Sequence, residues 1–181
     1  MTDAAVAEEP SEERTYGGLL GAFPYAFRRS SSRLFRSYVV IGGLVALLVA
    51  FTFVLALVDL LGSTASAEGG VFTFSRSFYI VVALFVTAPV LAPVLFVARR
   101  HRHGYADRLY DRDMAIAGYL FVFSLYVLLV ISAPPGFRDP ASQYGALAPA
   151  IQFLYDLPQL AGLVPPLIAA AFVYLVHRWR R

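Results

Sequence analysis

The chain has 181 residues, 59% of them apolar, with a formal net charge of +3 and a mean hydropathy of +0.65. An apolar share this far above the ~45–50% of soluble domains excludes an ordinary water-soluble globular protein. Cysteine is absent, which excludes disulfides, thiolate metal sites and thiol nucleophiles.

All fifteen basic residues are arginine, and the chain contains neither lysine nor asparagine. Without asparagine there is no N-glycosylation acceptor. Long apolar runs alternate with short charged loops, the pattern of an integral membrane protein.

The N-terminal segment, residues 1–16, carries Asp3, Glu8, Glu9, Glu12 and Glu13 against Arg14. It lacks the apolar side chains needed to offset ordering entropy, so a disordered acidic cytoplasmic tail is expected. The stretch GGLLGAFPYAFRRSSSRLFR, residues 17–36, reads as a basic amphipathic helix opened by Pro24. On a 3.6-residue period Phe23, Phe27, Leu34 and Tyr38 share one face, and Arg29, Arg33 and Arg36 another. Such a helix is expected at the headgroup level of a bilayer.

Four spans follow, within a single domain over residues 17–181. They run from Ser37 to Leu61, Phe78 to Ala98, Met114 to Ala133 and Pro158 to His177. The first covers roughly 37 Å as a helix, enough to cross a hydrocarbon core of ~30 Å. A short surface helix is expected over Ala146 to Asp156, before the fourth span. The predicted fold is all-α: a four-helix transmembrane bundle with an N-terminal interfacial amphipathic helix.

Ser63 to Ala67, STASA, resembles a small-residue cleavage site, and Arg28-Arg29 a twin-arginine signal. The apolar run is too long for a signal peptide, whose core is usually ~7–15 residues, so no cleavage is expected.

Arginine placement sets the expected orientation. With four spans, thirteen of the fifteen arginines fall on one side, leaving Arg76 and Arg138 on the other. The positive-inside rule then puts both termini and the middle loop in the cytoplasm of a plasma-membrane protein. Tyr38, Tyr174 and Trp179 would anchor the inner interface, and Tyr79 and Tyr155 the outer one. Arg28, Arg29, Arg33, Arg36, Arg99, Arg100 and Arg102 are candidate contacts for anionic lipid headgroups.

The middle loop, VARRHRHGYADRLYDRD, also invites a metal reading. His103, Asp107 and Asp111 would line one face if the segment were a single helix. The interleaved arginines would instead pair with the aspartates, Arg108 with Asp111 or Asp107 with Arg112, and Gly104 invites a break. No metal, cofactor or nucleic-acid partner is expected. All three histidines, His101, His103 and His177, are placed at the inner surface.

Inside the spans the most specific features are prolines. Pro89 and Pro93 in the second span and Pro165 and Pro166 in the fourth are candidates for kinks lining a cavity. Gly42, Ala46 and Ala50 form a small-residue packing face. Asp59, Asp156 and Gln159 are placed at the outer ends of spans and form a candidate polar cluster. No ionisable residue lies at mid-depth, which argues against a proton-coupled pump. No catalytic motif is present.

The stretches GLLGAFPYAFRRSSSRLFRSYVVIGG and LAPVLFVARRHRHG, with the missing Lys, Asn and Cys and the acidic N-terminus, resemble small uncharacterised multi-span membrane proteins of haloarchaea. The resemblance spans nearly the whole chain. It implies an archaeal cytoplasmic-membrane protein and carries no activity or site residues with it. The expected function is that of a non-catalytic membrane protein, an accessory or structural, lipid-associated component. Its partners would be membrane lipids, another membrane protein or further copies of the chain. The alternatives are a small transporter or channel using the proline-bearing spans, and a membrane enzyme acting through His101, His103 or Asp107.

Overall fold

The computed structural model describes residues 18–65 and 69–180, and these are all-helical. The acidic segment 1–16 lies outside them, as does part of the STASA stretch. The chain order is α1 (Gly18–Arg29), α2 (Arg33–Ser63), α3 (Gly70–Arg102), α4 (Arg108–Ser132), α5 (Ala148–Asp156) and α6 (Val164–Trp179), with 3-10 turns between α4 and α6. Four segments are long and apolar enough to cross a membrane: Arg33–Ser63, Thr73–Arg102, Arg108–Ser132 and Gln159–Trp179.

The stretch expected as one amphipathic helix is two. α1 ends at Arg29, and α2 restarts at Arg33 because Ser32 caps it, its Oγ accepting the Phe35 amide at 3.3 Å. Pro24 lies within α1 rather than opening it. The break removes the shared face expected for Phe23, Phe27, Leu34 and Tyr38. Instead α1 folds back on α2 and α3, burying Ala22 and Ala26 and placing the Phe23 ring against Gly43.

Helices α2 and α3 have 31 and 33 residues. At 1.5 Å per residue they run roughly 45–50 Å, well beyond a ~30 Å hydrocarbon core. The apolar run therefore underestimates each helix, whose charged ends continue past it. α4 sits centrally, packing on α2, α3, α5 and α6.

Tyr38 is the centre of the packing. It was expected at the inner interface, but it is fully buried. Its ring meets Tyr119 edge-on at 5.1 Å, and its Oη donates to the Val90 carbonyl at 2.7 Å. Two glycines make the slot: a Cβ at Gly118 would overlap the ring, and one at Gly42 would sit 3.0 Å from it. Gly42 and Ala46 are buried as expected of a packing face, whereas Ala50 is exposed.

The core is one-sided. Its buried residues are Ala22 and Ala26 on α1 and others between Phe35 and Ala46 on α2, Val90 and Ala98 on α3, Tyr110 and Phe121 on α4 and Ala169 and Val176 on α6. These segments all lie toward the end where α1 meets α2, α3 stops, α4 starts and α6 stops. Beyond Ala46, the rest of α2 and α3 up to Pro89 has no buried residue among those described. That half is a zipped hairpin, with Phe53 against Tyr79 at 5.2 Å and Arg76 donating to the Thr64 carbonyl at 2.6 Å.

The two proline pairs differ. Pro89 and Pro93 are inside α3, depriving the Phe85 and Pro89 carbonyls of their usual amide donors. Pro165 and Pro166 lie inside the fourth apolar segment as expected, but in the first turn of α6, after a 3-10 turn over Gln159–Leu163. There the missing N–H groups are ones the helix start leaves unpaired anyway, so nothing is broken.

Candidate functional site at the basic end of the bundle

The end that holds the core also holds the arginines. Among the described residues, only Arg76 and Arg138 lie elsewhere. Cross-links between helix ends fix this gathering: Ser30 to Asp111, His101 to Asp111, Tyr110 to His177, and Arg180 to both Asp113 and Arg100. The two outlying arginines serve local backbone. Arg76 binds the carbonyl and hydroxyl of Thr64. Arg138 donates to the carbonyls of Ala133 and Tyr155, each at 2.8 Å.

Asp111 is the most buried charged residue here, 1% exposed. Its Oδ2 accepts the Ser30 hydroxyl at 2.6 Å, and both carboxylate oxygens lie 3.0 Å from His101 Nε2. Ser30 Oγ in turn accepts the Ser32 amide, and Arg36 Nε holds the Ser30 carbonyl at 2.8 Å. A buried carboxylate survives only with such partners. The side chain of His101 is 4% exposed, packed inside the basic end. His, Ser and Asp meet here with the carboxylate in the middle. The serine hydroxyl donates to the acid and accepts an amide, so the arrangement ties helices rather than activating a nucleophile.

The single helical face that a metal would need from His103, Asp107 and Asp111 does not form. His103 is the C-cap of α3, Asp107 caps α4 through the Leu109 amide at 2.9 Å, and Asp111 faces inward. Gly104, at φ +80°, is the reason. Tyr105 N–H reaches back to the Arg100 carbonyl and Gly104 N–H to the His101 carbonyl. This is the glycine-dependent helix stop that satisfies terminal carbonyls. The aspartate partners also differ from expectation: Asp113, not Asp107 or Asp111, takes Arg112 and Arg180.

Of the candidate lipid-contacting arginines, Arg28, Arg29, Arg33, Arg36, Arg99 and Arg102 are exposed and Arg100 is partly covered. Arg100 lies 4.2 Å over the Tyr110 ring and donates to the Arg180 carbonyl. Its Nε is buried with no partner among the described residues. Beside it opens a cavity of about 460 Å³ lined by Phe96, Arg99, Arg100, His103, Tyr105 and His177. The His177 ring stacks on Phe96 at 4.0 Å, and its Nδ1 is 2.6 Å from the Tyr110 hydroxyl. This cavity joins α3 to α6 across 75 or more positions, which no sequence spacing announces.

The candidate outer cluster is not assembled. Asp59 is exposed on α2, which does not pack on α5 or the turn before α6. Asp156 accepts from Gln152 at 2.9 Å, and the Gln159 carbonyl accepts from Ser132 at 3.2 Å. At the same end a hydrogen bond with Tyr155 pushes the Tyr144 phenol up from its usual range.

The fold thus defines a helical bundle with four segments able to cross a membrane and a basic, aromatic cavity at one end. The chain belongs to the family described as Domain of unknown function (DUF8056), whose model matches residues 1–181. No curated protein and no solved structure matches it.

Proposed function

We propose that the protein is a non-catalytic, lipid-associated component of the cytoplasmic membrane, with its basic end in the cytoplasm. The observation that carries this reading is the gathering of every described arginine except Arg76 and Arg138 at one end of the bundle. Positive charge beside membrane spans favours the cytoplasmic side and attracts anionic headgroups. In this arrangement α1 packs on the bundle near the inner headgroup level, with Arg28 and Arg29 at its exposed end.

The non-catalytic assignment is supported by the Ser30–Asp111–His101 tie, in which the serine hydroxyl donates to the carboxylate and not to the imidazole. The accessory role is supported by the projecting half of α2 and α3, whose apolar side chains, including Leu48, Phe51 and Phe85, stay exposed among the described residues. The transporter alternative draws less support, because Pro165 and Pro166 start α6 instead of interrupting it.

Gentle extraction at native expression level, followed by native mass spectrometry, tests the role. Stoichiometric copurification of a membrane protein or of lipid is the expected result. A monomer stripped of both, with measurable turnover or flux, would overturn it.

A further inference from the structure

The cavity between the last turn of α3 and the end of α6 has the chemistry of an anion receptor with an apolar wall. Its lining contains two guanidinium groups and no carboxylate. The nearby acids are committed elsewhere: Asp111 to Ser30 and His101, Asp113 to Arg112 and Arg180, and Asp107 to the Leu109 amide. Arg99 forms no ion pair among the described residues. Arg100 is held in place by the Tyr110 ring and the Arg180 carbonyl, and its buried Nε still lacks an acceptor.

The end of a helix normally repels an anion through its free carbonyls. Here the Gly104 stop occupies the carbonyls of Arg100 and His101, which reduces that repulsion. Planar guanidinium groups match phosphate oxygens in pairs. Phe96 and Tyr105 offer surface to an organic substituent, and the volume of about 460 Å³ lies within the ordinary range for a small-molecule pocket.

We propose that this cavity binds the phosphate group of a phosphate ester, with oxygens on Arg99 and Arg100 and the organic part against Phe96 and Tyr105. The inference rests on the lipid-associated reading in naming an anionic phospholipid headgroup as one source of that phosphate. A soluble phosphate ester is the other.

The test uses the full chain, delipidated in neutral detergent. Native mass spectrometry would follow titration with phosphatidylglycerol, with phosphatidylcholine of the same chains, and with glycerol phosphate. One phosphatidylglycerol per chain, held about tenfold more tightly than phosphatidylcholine, is expected. Arg99→Gln should lower that affinity about tenfold, since it removes charge-assisted bonds. Arg100→Lys should lower it too, because the charge remains but the fork is lost. Arg76→Gln, at the opposite end and outside the basic gathering, should leave it unchanged. Arg99 is exposed, so its variant keeps the fold, and a thermal melt verifies this for each protein. Binding of glycerol phosphate with no lipid retained would keep the phosphate site and remove the lipid-associated reading. Equal binding of both lipids with no binding of glycerol phosphate would overturn the proposal. So would an Arg76→Gln effect as large as that of Arg99→Gln.

Discussion

The Tyr38 hydroxyl donates to the Val90 carbonyl across 2.7 Å, and Gly118 faces the same ring with no room for a methyl group. One side chain thereby joins α2, α3 and α4. Gly118→Ala has two opposing effects. Helix propensity favours alanine by about 0.5–1 kcal/mol. Overpacking a filled core costs about 1–3 kcal/mol. The overlap here is with a ring hemmed in by three helices, so the loss wins, and a lower melting temperature in detergent is expected. Tyr38→Phe, which removes only the hydrogen bond, should cost about 0.5–1.5 kcal/mol. A Gly118→Ala protein as stable as the parent would refute the close fit.

Asp111→Asn replaces a charged acceptor shared by Ser30 and His101 with a neutral amide. Hydrogen bonds to charged groups contribute about 1.5–3 kcal/mol, so a loss of that order is expected. Its local signature is early loss of amide protection at Ser32, whose N–H is held by Ser30 Oγ. Uniform loss of protection across the chain would show that the tie does not specifically hold the α1–α2 junction.

Pro165→Ala should change stability by no more than about 0.5 kcal/mol, because the helix start needs no donor there. Chemical denaturation in detergent checks this. A loss of several kcal/mol would mean that the proline ring, and not the position, supports the turn before α6.

The proposed orientation can be probed directly, since the chain has no cysteine. Ala106→Cys lies in the α3–α4 loop at the basic end, and Ser142→Cys at the opposite end. In intact cells a membrane-impermeant maleimide should label position 142 and spare position 106 until lysis. The reverse pattern would invert the protein in the membrane.

What was legible in the sequence was local. Apolar runs located α2, α3 and α4 within a few turns, and Gly104 announced the stop between α3 and α4. The runs missed helix ends, because hydropathy reports a preference for hydrocarbon while the backbone bonds of α3 continue through Arg99, Arg100 and Arg102. The prolines of the fourth span were read as interruptions, because an apolar run does not reveal where its helix begins. Nothing local signals the contacts that build the basic end. Ser30 and Asp111 are 81 positions apart, and Tyr110 and His177 are 67 apart. His101 and Asp111 were nearer to detection: a histidine and an aspartate flanking a glycine stop can close on each other once the turn is recognised.

The Ser30–Asp111 tie also dictates an order of events during synthesis. Ser30 leaves the ribosome 81 residues ahead of the carboxylate that will hold it. By then α2 and α3 have already been made. The Ser32 cap on Phe35 can close at once, but the Ser30 hydroxyl must wait, bonded to water, until the start of α4 arrives. His101 arrives ten residues before Asp111, so the histidine–aspartate half can close first, as a local step. Among the described helices α1 is therefore made first, and its end is tied to Asp111 only after α2 and α3 have followed it.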